Sequence, residues 1–368
     1  MSTTARVVVL PETPGAALRI DEVELPDPGP HQVLLREIAS GICHSQLHQM
    51  HGPRTHDVVL GHEATGEVLA VGEGVTNVAP GDRALLTFVP RDAPNTDRRP
   101  VPAECTVGGG RTAIAQNIFT WADHTLADEQ FVVKVPDDTP MDVTAIVGCA
   151  VMTGAGGVLN AADVRPGSTV AVWGVGGIGL PVVAAARKRG ASMIIAVDVD
   201  DAKLAMATAF GATHTVNSTE VDNVGKYIRE LTPGPPGAWG FRGSRIAGVD
   251  SGFDCVALPQ TIEEMLQSVR NARQSAHPGG TAVVLGVPQE RFELDIVRHL
   301  ITGEKRFLGS IGGTSVPERD FPTFLQWYRD GDLDLDRFVT RRFALEEINE
   351  ATAALEAGHI LGRSIIEL

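Results

Sequence analysis

The stretch STVAVWGVGGIGLPVVAAARKR, residues 168–189, decides how the second half of the chain folds. Its opening, Ser168 to Trp173, is short and rich in β-branched and apolar side chains, which reads as a strand. Gly174-Val175-Gly176-Gly177-Ile178-Gly179 follows at once and spells G-x-G-x-x-G, and Leu180–Arg189 then reads as a helix. The pattern alone is weak evidence, but a strand before it and a helix after it make it specific for a dinucleotide. The first glycine permits the tight turn, the second lets backbone approach a pyrophosphate, and the third lets helix pack on strand. The helix start offers unpaired N–H groups and the positive dipole end to the phosphates. Asp198 stands 19 positions beyond Gly179, at the end of the next apolar run, where its carboxylate would accept both adenosine ribose hydroxyls. It would repel a 2′-phosphate, which favours NAD over NADP.

Outward from this motif the period is strand, helix, strand. SMIIAV (192–197) precedes a helical Ala202–Phe210 stopped by Gly211, then HTV (214–216); Val249–Val256, Thr261–Ala272 and Thr281–Leu285 repeat the cycle. Such alternation implies right-handed crossovers and a doubly wound parallel sheet, an α/β class. Before Val164-Arg165-Pro166-Gly167 the chain is β-rich, with strand-like Val7–Leu10, Gln32–Ile38, Ala64–Val71, Arg83–Val89 and Phe131–Val135 between Pro/Gly/Asp turns. Beyond Gly313 come helical Phe321–Asp330 and Leu345–Ala357 and a terminal strand-like SIIEL. Two Pro/Gly-rich interruptions, Pro90–Gly110 and Thr232–Ala247, read as loops.

At 368 residues the chain exceeds what one core usually serves, so two domains are expected. A net charge of −15 leaves no surplus of cations to displace counterions from phosphates, which argues against a nucleic-acid partner. No stretch is long enough to span a bilayer, and the short apolar run Val7–Leu10 makes no signal peptide. Four scattered cysteines, Cys43, Cys105, Cys149 and Cys255, form no disulfide framework, so a cytoplasmic protein with thiols kept for metal or catalysis is expected.

Three segments carry metal-ligating chemistry: GICHSQLH (41–48), LGHEATGEV (60–68) and GCAVMTGAG (148–156). Together with the glycine motif, and in this order, they resemble the medium-chain zinc-containing alcohol dehydrogenases from Val33 to Arg363. The resemblance implies a β-rich GroES-like catalytic domain, discontinuous over 1–150 and 314–368, and a Rossmann domain over 151–313. It implies one catalytic zinc on Cys43, His62 and Cys149, a tetrahedral site with one position open for substrate. The reaction implied is reversible hydride transfer between a small alcohol and NAD, giving an aldehyde or ketone. Ser45, His48 and Glu63 fall in the catalytic set. Ser45 begins a proton relay through the nicotinamide ribose to His48, a residue type suited to act as the outer base. His44 and Arg363 match pyrophosphate contacts, Thr153 and Ile178 the nicotinamide face, and Lys203 a position near the adenine ribose. Phe88 and Trp121 fall where the family lines its alcohol pocket. Homodimers or homotetramers are implied through a strand near Phe307–Ile311.

The chain departs from that pattern in three places. PRDAPNTDRRPVPAECTVGG (90–109) corresponds to a lobe where most relatives hold a structural zinc on four cysteines, but it contains only Cys105. One thiolate cannot close such a site, so no structural zinc is expected. Gln46 replaces the usual aspartate beside the ligating histidine. Its carbonyl is expected to accept the histidine N–H without adding negative charge, leaving the zinc more electron-poor and less tightly held. Thr232–Ala247 reads as an exposed insertion, the alternative being a flap that closes Trp239 or Phe241 over NAD. That flap would suit a nicotinoprotein, which keeps its NAD and uses another electron acceptor. A non-catalytic dinucleotide-binding protein is the reading from another class, and the intact ligand set argues against it.

Overall fold

The structure, a computed structural model, describes residues 2–273 and 277–368. The contacts within it divide the chain into two units, one of Met1–Ala150, Val316–Arg329 and Asp334–Leu368, the other of Val151–Ser315 and Asp330–Leu333.

The first unit begins with ten strands: β1 (Thr3–Leu10), β2 (Arg19–Leu25), β3 (Gln32–Ile42), β4 (Asp57–Val59), β5 (Ala64–Val71), β6 (Arg83–Leu86), β7 (Glu104–Val107), β8 (Arg111–Ile114), β9 (His124–Asp128) and β10 (Val132–Lys134). The α-helix α1 (His44–His51) lies among them, and α2 (Ala150–Gly156) leads from Ala150 into the second unit. The second unit continues with β11 (Thr169–Trp173), α3 (Gly179–Lys188), β12 (Met193–Asp198), α4 (Asp201–Phe210), β13 (His214–Asn217), α5 (Val224–Leu231), β14 (Ser251–Asp254), α6 (Pro259–Ser268), β15 (Thr281–Val284) and β16 (Arg306–Gly309). Then come α7 (Pro317–Arg329), α8 (Leu335–Phe338), β17 (Val339–Ala344), α9 (Ile348–Glu356) and β18 (Arg363–Glu367).

In the first unit one sheet has the order β2-β1-β4-β8-β7, and the other β10-β6-β5-β3-β18-β17 with β9 also on β3. Strand β3 runs on past Ile38, where Ala39-Ser40-Gly41 looks like a break in sequence. Ser40 to Ile42 pair with Ile366 to Ser364 of β18, so the last strand of the chain stabilises an extension that local propensity does not favour. The segment Pro90–Gly110, expected as loop, contains β7 and, with Arg111–Ile114, an antiparallel hairpin joined to the sheet through β4.

The second unit holds six parallel strands in the order β13-β12-β11-β14-β15-β16. This is the doubly wound arrangement, and its order reverses at β11, the strand that feeds the glycine motif. β11, β12, β14 and β15 are buried along almost their whole length, which explains their continuous apolar runs. Helix α4 starts where the Asp200 side chain accepts the Ala202 N–H and stops at Gly211, whose φ is 117°. Helix α6 ends at Ser268, short of the expected Ala272, because extended Val269 bridges to Val249.

Candidate functional site

Strand β3 delivers Cys43 to the N-cap of α1, where its backbone is still extended at φ −106° and ψ 146°. His62 follows Gly61, which has φ +95° and whose missing Cβ would collide with the Trp121 backbone and the Thr120 hydroxyl. Cys149 closes a short 3₁₀ turn over Val143–Gly148, and the Thr87 hydroxyl donates to the Gly148 carbonyl at 2.7 Å. Three separate loops of the first unit thus converge.

Among the described residues, Cys43, His62 and Cys149 form the one group of three or more His, Cys, Asp or Glu side chains able to hold a metal. Their ligand atoms all lie within 4.8 Å of one another. The two Sγ atoms are 3.8 Å apart, and His62 Nε2 lies 3.2 Å from Cys149 Sγ. Two bonds of about 2.3 Å at a tetrahedral angle give an S···S edge of about 3.8 Å, so the donors fit zinc. The Cys43 thiol is held well below its ordinary range by its hydrogen bond with Cys149, with help from Arg363 and against burial. The same hydrogen bond, with burial, pushes the Cys149 thiol well above its ordinary range.

The surroundings are built from charges and one amide. The Glu63 carboxylate is buried, accepts from Arg363 Nη2, and accepts the Ala150 N–H at 3.2 Å. Burial pushes the Glu63 carboxyl above the usual glutamate range although Arg363 pulls it back. The same guanidinium lies 3.8 Å from Cys149 Sγ. Burial works against its charge, yet Cys43, Glu63 and Cys149 outweigh that and hold it protonated. Arg363, matched by resemblance to a pyrophosphate contact, therefore stands inside the metal centre as the counter-ion of Glu63. Sequence reading missed this pair, since 300 positions separate its members.

Gln46 also differs from expectation. Its carbonyl Oε1 accepts the Cys43 backbone N–H at 2.8 Å, and its amide Nε2, not its carbonyl, faces His62 Nδ1 at 2.6 Å. Phe88 stacks edge-on against His62 with ring centroids 5.1 Å apart. Trp121 is a correction: it is fully buried in a cluster with Val8, Leu10, Ile42 and Ile366, and its indole N–H donates to the Gly41 carbonyl at 3.1 Å. It packs the core under the site and offers no face to a pocket. On α1, the Ser45 hydroxyl is buried without a hydrogen-bond partner. His48 is half-buried, its ring 5.5 Å from that of exposed His44.

In the second unit Gly174, with φ +78°, ends β11, and its N–H donates to the Val197 carbonyl at 2.8 Å. A Cβ on Gly179 would strike the Gly174 carbonyl, so the third glycine is what brings α3 against the strand. Gly176 has open space where its Cβ would be. Gly177 and Ile178 complete the turn into α3. The Asp198 carboxylate accepts N–H groups from Val175 at 2.9 Å and Val199 at 2.8 Å, so it braces the glycine turn itself. Lys203 lies half-buried on α4, and Thr153 is buried on α2.

The insertion Thr232–Ala247 joins α5 to β14 and lies at the amino ends of the strands. Its Gly240 abuts the Ala272 carbonyl, and the Arg245 carbonyl accepts from Asn271. The glycine motif follows the carboxyl end of β11, a five-residue strand about 16 Å long. Trp239 and Phe241 are thus on the opposite edge of the sheet, which contradicts the flap.

The chain is similar to known proteins along its whole length. The family model for an alcohol dehydrogenase GroES-like domain matches residues 29–137, and that for a zinc-binding dehydrogenase matches 177–330. An alcohol dehydrogenase class-3 of Cereibacter sphaeroides is 31% identical over 100% of both chains. An S-(hydroxymethyl)glutathione dehydrogenase of Paracoccus denitrificans is 31% identical over 96% of each. Among solved structures, benzyl alcohol dehydrogenase of Acinetobacter calcoaceticus superposes with a TM-score of 0.84 at 27% identity, covering 100% of this chain and 99% of that one. Fold, three-ligand centre and full-length identity agree: this chain belongs to the medium-chain, zinc-containing alcohol dehydrogenase family and is a zinc-dependent oxidoreductase.

Proposed function

We propose that this chain oxidises a primary or secondary alcohol to an aldehyde or ketone, and catalyses the reverse reduction, with NAD and a single zinc. The observation that carries the reading is the 3.8 Å separation of the Cys43 and Cys149 sulfurs beside His62 Nε2, three ligands that leave a fourth position for substrate. Zinc, when bound there, supplies a Lewis acid that favours the ionised alcohol, and NAD accepts the hydride. Ser45 and His48 are three residues apart on α1 and so share a helix face, which suits them to take the alcohol proton and pass it outward. The Ser45 hydroxyl, buried without a partner, is where that chain of hydrogen bonds would begin. Phe88, edge-on to His62, gives the substrate side of the centre an apolar wall.

In this reading His44, Thr153, Gly174, Gly176, Gly177, Ile178, Gly179, Asp198 and Lys203 serve the cofactor, and Asp198 selects NAD over NADP. In this reading the lobe holds no structural zinc, because Cys105 is the one cysteine in residues 90–109 and a single thiolate does not make a four-ligand site. Subunits pair through the edge strand β16, which is only partly covered and is followed by exposed Ile311. Ligand thiols that must stay reduced suit the cytoplasm.

Metal analysis joined to an alcohol and aldehyde panel with NAD and with NADP tests the proposal. About one zinc per chain and NADH formation at 340 nm are expected. No zinc after careful purification would sink the enzyme reading, and about two would overturn the account of the lobe. NAD that co-purifies and never exchanges would point to the nicotinoprotein instead.

A further inference from the structure

Gln46 is 1% exposed, so its amide is satisfied by protein groups or not at all. Two nitrogens face it, the Cys43 backbone N at 2.8 Å and His62 Nδ1 at 2.6 Å. The orientation of the amide follows from the first of these. A backbone N–H at a helix N-cap always presents a hydrogen, and only the amide oxygen can accept it. The NH₂ end is then directed at His62, which forces Nδ1 to be the acceptor and places the ring proton on Nε2. Nε2 in turn lies 3.2 Å from Cys149 Sγ, a sulfur able to accept that proton's hydrogen bond.

A histidine that ligates a metal through Nε2 must carry its proton on Nδ1. With the proton there, Gln46 meets two N–H donors and has one acceptor oxygen. Whichever way the amide turns, one buried N–H is opposed by another. A carboxylate of the same length would accept from both.

Resting on the zinc reading above, we infer that Gln46 opposes the ligating tautomer of His62, so that zinc is held in competition with the hydrogen bond that caps α1. Zinc loading therefore costs this chain either the Cys43 cap or the His62 N–H bond, and its zinc is more readily exchanged than it would be beside a carboxylate. Gln46 is a positioning residue, acting on the metal through His62.

The test uses the full-length protein, stripped of metal and reloaded, with zinc affinity read by competition against a chromophoric chelator. Gln46→Glu, which keeps the side-chain length, is expected to bind zinc about 10- to 100-fold more tightly, and Gln46→Asp to shift affinity in the same direction. A charge effect alone would also tighten zinc, so the second readout is the histidine ¹⁵N spectrum of the metal-stripped protein. The wild type should show His62 as the Nε2–H tautomer and Gln46→Glu as the Nδ1–H tautomer. Equal zinc affinity in all three proteins, or an Nδ1–H tautomer in the wild type, overturns the inference while leaving the zinc reading intact. Failure of all three to bind zinc overturns both.

Discussion

Two glutamates of the first unit are fully buried and have opposite circumstances. Glu63 accepts from Arg363 and from the Ala150 N–H, so the upward push of burial on its carboxyl is opposed by a guanidinium. Glu37, in the middle of β3, is 2% exposed and neither of its carboxyl oxygens has a hydrogen-bond partner. Burial, reinforced by nearby Asp123, pushes its carboxyl well above the usual range. The unfolded chain ionises this group near pH 4, whereas the folded chain keeps it protonated to a much higher pH. Its contribution to stability is therefore greatest in acid and is lost as pH rises toward the folded pKa. Glu37→Met should stabilise the protein by about 1–3 kcal/mol at pH 8 and by much less at pH 4, measured by urea unfolding. Equal effects at both pH values would refute a protonated Glu37. At this scale the sequence was legible where chemistry depends on residue type and spacing, as at Cys43, His62 and Cys149. It was not legible where the outcome depends on which end of an amide faces which nitrogen, as at Gln46, or on partners 300 positions apart, as at Glu63 and Arg363.

Elements with a regular apolar period, such as α3, α4 and the parallel strands, were legible because their own residues bury them. Those that depend on a neighbour were not. Helix α1 has the composition HSQLHQMH, with no apolar stripe, and starts on a cysteine whose N–H is capped by Gln46. The hairpin of β7 and β8 was hidden by prolines before it and three glycines in its turn. An ion pair ties this lobe to the end of β9: both Arg98 Nη atoms donate to the buried Asp128 carboxylate at 2.8 Å, and the Val101 N–H joins them at 2.6 Å. A bidentate pair of this kind fixes geometry as well as energy, and it spans the lobe and strand β9. Cys105 reports on the lobe's order, because burial there pushes its thiol up to about 11 and leaves it unreactive. Arg98→Ala leaves Asp128 short of its counter-ion and should loosen the lobe at a cost of about 1–3 kcal/mol. Cys105 labelling by a thiol reagent should then accelerate at least tenfold, with new proteolytic cuts between residues 90 and 114. Unchanged labelling would show that the sheet, not the ion pair, holds the lobe.

On the scale of the whole molecule, alternation of strand and helix made the parallel sheet legible, and its observed order follows from right-handed crossovers around β11. The return of the C-terminal segment to the first unit was not legible from periodicity. It depends on β18 pairing with β3 across more than 300 residues, a contact with no local signature. The same topology decides what the insertion can do. Every segment that leads from a helix back into a strand must lie at the amino edge of a parallel sheet, and every strand-to-helix turn at the carboxyl edge. Thr232–Ala247 is of the first kind and Gly174–Gly179 of the second. Trp239, 59% exposed, and Phe241, beneath the Arg242 guanidinium, are thus separated from the cofactor turn by the full length of a strand. Deleting either aromatic ring should change NAD affinity by less than about twofold, since it removes no contact to the dinucleotide. Trp239→Phe should likewise leave the quenching of protein fluorescence by NADH nearly intact. A tenfold loss of NAD affinity in Trp239→Ala, with the protein's unfolding curve unchanged, would mean that the ring reaches the cofactor by a route the topology of one chain does not provide.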